Sequence, residues 1–168
     1  MIPRTPEDVQ AALDALGLNI RVRIFEQPTA TSEQAAEAIG TELGSIAKSL
    51  CFVVDGKPVI VIAAGDQMVD TRKLGELYGV SRKKIRIADA ETTIQATGYA
   101  PGGVPPVGHV QPLPVLIDST LSRYSIIYGA AGSPHAIFPI PYEELIRITG
   151  GKVADITIPK EAKGQGEG

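Results

Sequence analysis

The chain has 168 residues with 16 Lys and Arg against 19 Asp and Glu, a net charge of −3, and 43% apolar residues. That length suits one domain that buries roughly 70% of its unfolded surface, enough for a core without disulfides or metal. The mild acidity argues against broad, non-specific nucleic-acid binding, and one cysteine with two distant histidines excludes both an intrachain disulfide and zinc-ligand spacing.

Met1-Ile2-Pro3-Arg4 lacks the order of a signal peptide, and the longest apolar run, Val59 to Ala64, is too short to span a bilayer. The cytoplasm is the expected location, with no membrane association. Thr5-Pro6-Glu7-Asp8 then supplies an N-cap, a first-turn proline and acidic residues for a helix carrying Val9, Leu13 and Leu16, closed by Gly17. Arg21–Phe25 alternates as a strand and ends at Pro28. Thr31 or Ser32 caps a second helix to Ile39, and Glu42–Ala47 is a short helical turn.

Lys48–Val54 and Pro58–Ala63 flank Asp55-Gly56-Lys57 and predict a hairpin of two central strands, because both faces are apolar. Thr71 or Asp70 caps a helix to Tyr78. Lys84–Ala88 is a short strand, and Asp89 caps a helix over Ala90–Thr97. Further strands are expected at Pro114–Asp118, Ser125–Tyr128 and Ala136–Ile140. A helix runs from Pro141 to before Gly150, and Lys152–Ile156 is a last short strand candidate. The expected fold is α/β of the α+β kind, a mixed, mostly antiparallel sheet of about seven strands with peripheral helices. It forms a single domain over 1–158, with a Lys/Glu/Gly-rich disordered tail over 159–168.

Between these elements lies Gly98 to His109, with four glycines and three prolines in twelve residues. Such a segment cannot continue a helix or a central strand, and its apolar residues do not suit a solvated linker. It is either a pocket wall of bare backbone amides or a packed connection. Its glycine spacing matches neither a Rossmann nor a P-loop fingerprint.

Few residues offer chemistry. Ser133 and His135 lie close in sequence but lack a nucleophile-elbow context or a paired acid. Cys51 sits in an apolar run and reads as a core strand residue, which weakens a Cys51–His109 pairing. Lys48 opens the first central strand, as an anchor for a phosphate or carbonyl oxygen or as an exposed strand-start lysine. Arg82, Lys83, Lys84 and Arg86 form a basic cluster, either a solvated turn or a nucleic-acid backbone contact.

Ala47-Lys48-Ser49-Leu50, Thr97-Gly98-Tyr99 and Gly102-Gly103-Val104-Pro105-Pro106-Val107-Gly108-His109 together resemble the bacterial YbaK/ProX-type aminoacyl-tRNA deacylases, whose domain is also inserted in prolyl-tRNA synthetases. The likeness continues through Leu113-Pro114, Ile117-Asp118, Ile127-Tyr128, Gly132, Glu144-Leu145-Ile146 and Val153-Ala154-Asp155, over about residues 15 to 156. It implies a YbaK-like fold and a trans-editing enzyme that hydrolyses the ester of a mischarged small amino acid without a protein nucleophile.

By that resemblance Lys48 holds the terminal adenosine's phosphate or ribose, and the amides of Gly102 and Gly103 bind the acyl carbonyl. His109 completes the catalytic set. Phe25, Ser49, Val104, Pro105, Gly108, Gly132, Ser133 and His135 are the expected substrate contacts, with His135 alternatively a surface residue. Arg82, Lys83, Lys84 and Arg86 are the candidate tRNA contacts. No cofactor or metal is implied. The partners expected are a mischarged tRNA, of the tRNA-Pro or a related type, and a cognate synthetase. Where the cysteine-removing branch has Tyr and Asp, this chain has Phe25 and Ala136-Ile137, leaving alanine, cysteine or serine as the acyl group. The rival reading is a non-catalytic nucleic-acid-binding or regulatory module on the same fold.

Overall fold

The computed structural model describes residues 2–161. In chain order the helices are α1 (Pro6–Ala15), α2 (Ser32–Ile39), α3 (Thr71–Tyr78), α4 (Ala90–Thr97) and α5 (Tyr142–Thr149). The strands are β1 (Arg23–Ile24), β2 (Ile46–Val54), β3 (Lys57–Ala64), β4 (Gln67–Val69), β5 (Ile85–Ile87), β6 (Val115–Asp118), β7 (Ile126–Ala130), β8 (Ala136–Pro141), β9 (Lys152–Ala154) and β10 (Thr157–Pro159). The main sheet runs β1-β8-β7-β2-β3-β6-β9, with β5 also paired to β2. Its pairs are antiparallel except β2–β7, β3–β6 and β6–β9. The expected mixed, mostly antiparallel sheet with five helices is therefore observed, with β2 and β3 at its centre.

The local chemistry explains the elements. Asp8 accepts the N–H of Thr5 at 2.8 Å to close the start of α1, and Thr31 rather than Ser32 caps α2, accepting the N–H of Gln34 at 3.0 Å. Asp70 caps α3 and Asp89 caps α4, each accepting a first-turn N–H. Asp55 and Gly56 both take positive φ, 50° and 82°, in the two-residue hairpin turn between β2 and β3.

Three readings are corrected. The helical turn expected over Glu42–Ala47 is a 3-10 turn of Leu43–Ser45 only, because Ile46 and Ala47 are drawn into β2 by pairing with Tyr128 and Gly129. A second sheet, β4 with β10, was not expected; its three-residue strands register Val69 with Thr157 and Gln67 with Pro159. Of the tail expected over 159–168, Pro159 closes β10 and the N–H of Lys160 donates to Asp66 at 3.0 Å. Residues 162–168 lie outside the described residues.

The alternation of β2 divides the core. Ala47 and Cys51 face one side, packing with Val9 and Leu13 of α1, Ala96 of α4, Leu145 of α5 and Tyr99, Val104 and Val107 of the Gly/Pro segment. Ile46, Phe52 and Val54 face the other, where Ala35 and Ala36 of α2 and Leu74 of α3 cover them. The helices thus form layers on both faces of the sheet. Among the described residues no helix is long and apolar enough to cross a membrane.

Candidate active site

The site lies where β2 exchanges neighbours. On one edge β2 pairs with β3 along its length, but on the other it meets β7 only at Ile46 and Ala47 and β5 only from Phe52 to Val54. The carbonyl of Cys51 accepts the N–H of Ala88 on that second edge, at 2.9 Å. By the two-residue period of a strand, Ser49 turns its own N–H and C=O toward the same edge, where no strand meets it. A small cleft of about 30 Å³ occupies the opening. Its lining includes Thr29 to Ser32, Ala35, Ile46 to Ser49, Gly102, Val104, Tyr128 to Ala130 and Ile137.

Lys48 enters from the α2 side, half-buried, and its ammonium donates to the carbonyl of Ala30 at 3.1 Å. An ammonium has three donors, so two remain for a ligand. Burial pushes the Lys48 pKa below its ordinary 10.5; the charge of Lys160 lowers it further, and Glu33 acts in the opposite sense.

The Gly/Pro segment reaches the cleft through a turn that its sequence dictates. In Ala100-Pro101-Gly102-Gly103, proline presets the second position and Gly102 takes φ 88° at the third, while the N–H of Gly103 donates to Ala100 at 3.1 Å. These are the marks of a type II turn. The two glycine amides therefore differ. Among the described residues Gly102 and Val104 donate their N–H groups to no protein acceptor, whereas the N–H of Gly103 is spent within the turn.

Gly103 serves instead as a point of close approach. A Cβ there would lie 2.8 Å from the nitrogen of Ser133 and 2.9 Å from the carbonyl carbon of Gly132, and the Gly103 carbonyl accepts the N–H of Gly132 at 2.8 Å. Gly132 and Ser133 do not line the cleft; they buttress the turn that does. Pro134 accepts the N–H of Thr29 at 2.6 Å, and Nδ1–H of His135 donates to Gln27 at 3.2 Å. His135 thus pins the segment carrying Ala30 rather than facing the cleft. Phe25 stands one layer away, packed with Ala35, Ile46 and Ile137 and overlain by Arg23 at 5.4 Å.

His109 does not join Lys48. With Gly108 it lines a second cavity, alongside Leu16, Val110 and Ile148. Its Nε2–H donates to the carbonyl of Pro105 at 2.8 Å, and burial lowers its pKa. The cause is the path of the chain: Pro105 and Pro106 stiffen it, Pro106 packs against Gly129, and Gly108 turns the chain toward Ala12. The expectation that His109 completes the catalytic set beside Lys48 is not met by the geometry, since the two line separate cavities. Pro105 is buried and contributes its carbonyl to His109.

The basic cluster is also remote. Arg82, Lys83, Lys84 and Arg86 are exposed, and Lys83, Lys84 and Arg86 line a groove with Val53, Asp55 and Gly56 at the opposite end of β2. Arg86 registers with Val53, five residues along β2 from Lys48 and therefore roughly 17 Å away.

No side chain at the cleft is set up as a nucleophile. The thiol of Cys51 is buried and its pKa pushed up. Ser32 and Ser49 line the cleft, yet among the described residues neither hydroxyl has a protein hydrogen-bond partner and therefore neither has a base. Ser32, Thr31 and Ala35 were not among the sequence candidates; the capping pattern at α2 marked a helix start, but not that this start would face Lys48.

A family model described as the aminoacyl-tRNA editing domain matches residues 26–148. YwhH of Bacillus subtilis is 37% identical over 130 residues, covering 77% of this chain and 81% of that protein. EbsC of Enterococcus faecalis, for which a Cys-tRNA(Pro)/Cys-tRNA(Cys) deacylase activity has been proposed, is 30% identical over 128 residues, covering 76% of this chain and 77% of its own. A crystal structure described as a proposed trans-editing enzyme for prolyl-tRNA synthetase superposes with a TM-score of 0.84 at 37% identity, covering 94% of this chain and 97% of that one. On this match and on the cleft it encloses, the chain belongs to the aminoacyl-tRNA editing domain family and is an editing enzyme of that class.

Proposed function

We propose that the protein is a trans-editing deacylase that hydrolyses the ester joining a mischarged small amino acid to the terminal ribose of a tRNA, of the tRNA-Pro or a related type. The observation that carries this reading is that Lys48 and Gly102, whose N–H has no protein acceptor among the described residues, line one small cleft that offers no activated nucleophile. Such a cleft suits a reaction whose substrate supplies its own help. Water attacks the acyl carbon, oriented by the neighbouring ribose hydroxyl. The carbonyl oxygen gathers negative charge opposite the Gly102 amide, and the ribose oxygen departs with a proton. Lys48, already oriented by Ala30, directs its remaining donors to the phosphate or ribose.

The likeness to the proposed prolyl-tRNA synthetase trans-editing enzyme supports a synthetase as partner. The basic cluster, well away from Lys48, is suited to the tRNA body rather than to its terminus. The reading is tested with a panel of tRNAs charged with alanine, cysteine, serine and proline. Hydrolysis of at least one noncognate ester, slowed on the order of 10²- to 10³-fold in Lys48→Ala with tRNA binding retained, is the expected result. An inactive wild type across the panel would overturn it.

A further inference from the structure

Two hydroxyls in the cleft are unexplained by the fold. Ser32 is 4% exposed and Ser49 is 7% exposed; both line the cleft, and neither hydroxyl oxygen has a protein hydrogen-bond partner among the described residues. A buried hydroxyl without a partner is destabilising, and alanine would remove that cost at either position. Ser32 is not needed to start α2, because Thr31 accepts the capping N–H. Ser49 lies between Ala47 and Cys51 in a central strand, a place that favours apolar or β-branched residues.

Their setting limits what could satisfy them. Ser32 lies on the α2 side: a Cβ built on Gly65 would sit 2.9 Å from the Cβ of Ser32 and 3.1 Å from that of Ile46. Ser49 shares the opposite face with the core residues Ala47 and Cys51. The two serines therefore flank the opening on its two faces, with buried hydroxyl oxygens, among the small or apolar Ala35, Ala130, Ile137 and Val104. Lys48 is more exposed than either serine and suits the nucleotide end of the substrate. The nearly sealed serines suit its far end, the amino-acid side chain.

Building on the deacylase reading, we propose that Ser32 and Ser49 read the side chain of the acyl group, and that the cleft takes a seryl ester in preference to an alanyl or cysteinyl one. A substrate hydroxyl both donates and accepts, and so can pair with either serine. A methyl group leaves both unpaired, and a thiol is a weak partner. A site with polar groups awaiting a substrate hydroxyl rejects the analogue that lacks it more strongly than an apolar pocket rejects an added methylene.

The test compares kcat/KM for one tRNA carrying serine, alanine or cysteine, with wild type, Ser32→Ala and Ser49→Ala. Wild type is expected to favour the seryl ester by at least about tenfold. At least one variant should reduce that preference by slowing seryl hydrolysis more than alanyl hydrolysis. Neither variant should melt below wild type, since each loses an unpaired buried hydroxyl. A wild type that hydrolyses alanyl or cysteinyl esters as fast as seryl esters overturns the proposal, as does an equal slowing of all three esters in both variants. Were no ester hydrolysed, the deacylase reading itself would fail. Binding of nonhydrolysable seryl and alanyl 3′-amides of adenosine then decides the pocket separately, and a selectivity unchanged in both variants would overturn it.

Discussion

The ammonium of Lys48 lies 3.1 Å from the carbonyl oxygen of Ala30, which ties the start of β2 to the turn leading into α2. Replacing Lys48 by alanine should lower kcat/KM on the order of 10²- to 10³-fold, the loss found when one preorganised electrostatic donor is removed. Lys48→Arg should not restore the rate, because a planar guanidinium cannot repeat a compact ammonium's geometry beside Ala30. Deacylation assays with a thermal melt of each variant check this; a Lys48→Ala rate near wild type would contradict it.

The same lysine should set the alkaline limit of activity. Burial and Lys160 hold its pKa below the ordinary lysine value, so Lys48 loses its proton and the rate falls at a lower pH than for an exposed lysine. Lys160→Ala removes a like charge and releases Glu33 from its 3.4 Å ion pair. Both changes favour the ammonium, and the alkaline limb of the pH–rate profile should move upward. A downward shift would mean that another group controls that limb.

Gly103→Ala should damage the site without touching the substrate. Its methyl group would meet backbone atoms of Gly132 and Ser133, which cannot swing aside as a side chain can. Overpacking of this kind costs about 1–3 kcal/mol, and relief by moving the turn would carry Gly102 out of place. Stability to chemical denaturation and kcat/KM should fall together.

His109 should govern stability rather than rate. Its folded-state pKa is depressed by burial below the ordinary 6.5, so the unfolded chain binds the proton more readily. Its contribution is present above pH 6.5 and is lost as the pH falls through and below that value. The drop in melting temperature between pH 7.5 and 5 should be smaller in His109→Gln, with deacylation at pH 7.5 close to wild type. A large rate loss would return His109 to the catalytic set.

Lys83→Glu with Lys84→Glu should weaken tRNA binding and flatten its salt dependence by up to about 0.9 for each phosphate no longer neutralised. Hydrolysis of a short aminoacyl-adenosine should be unchanged, because the cluster is remote from Lys48. Equal losses with both substrates would show that the cluster and the cleft are not separate.

The elements whose signals are local were legible in the sequence. The Asp55-Gly56 hairpin, the Asp89 cap and the Pro101-Gly102 punctuation each act within four residues of themselves. What escaped was set by distant partners. β4 and β10 are three residues each and exist through pairing between Gln67 and Pro159, far apart in the chain. Likewise, the spacing from Lys48 to His109 cannot tell which side of the Gly/Pro segment the imidazole takes. That depends on how Pro106 stacks on Gly129 and Gly108 on Ala12. The difference between the amides of Gly102 and Gly103 was legible in principle, since proline followed by glycine already specifies which N–H closes a type II turn.

The start of α1 has a consequence beyond its own helix. A Cβ on Gly132 would lie 2.8 Å from the carbonyl carbon of Thr5, and the N–H of Arg4 donates to Gly98 at 2.7 Å. The first few residues thus act as a keystone wedged against both glycine-rich loops, although none of them lines the cleft. Removing these residues would loosen a wall of the cleft nearly a hundred positions downstream.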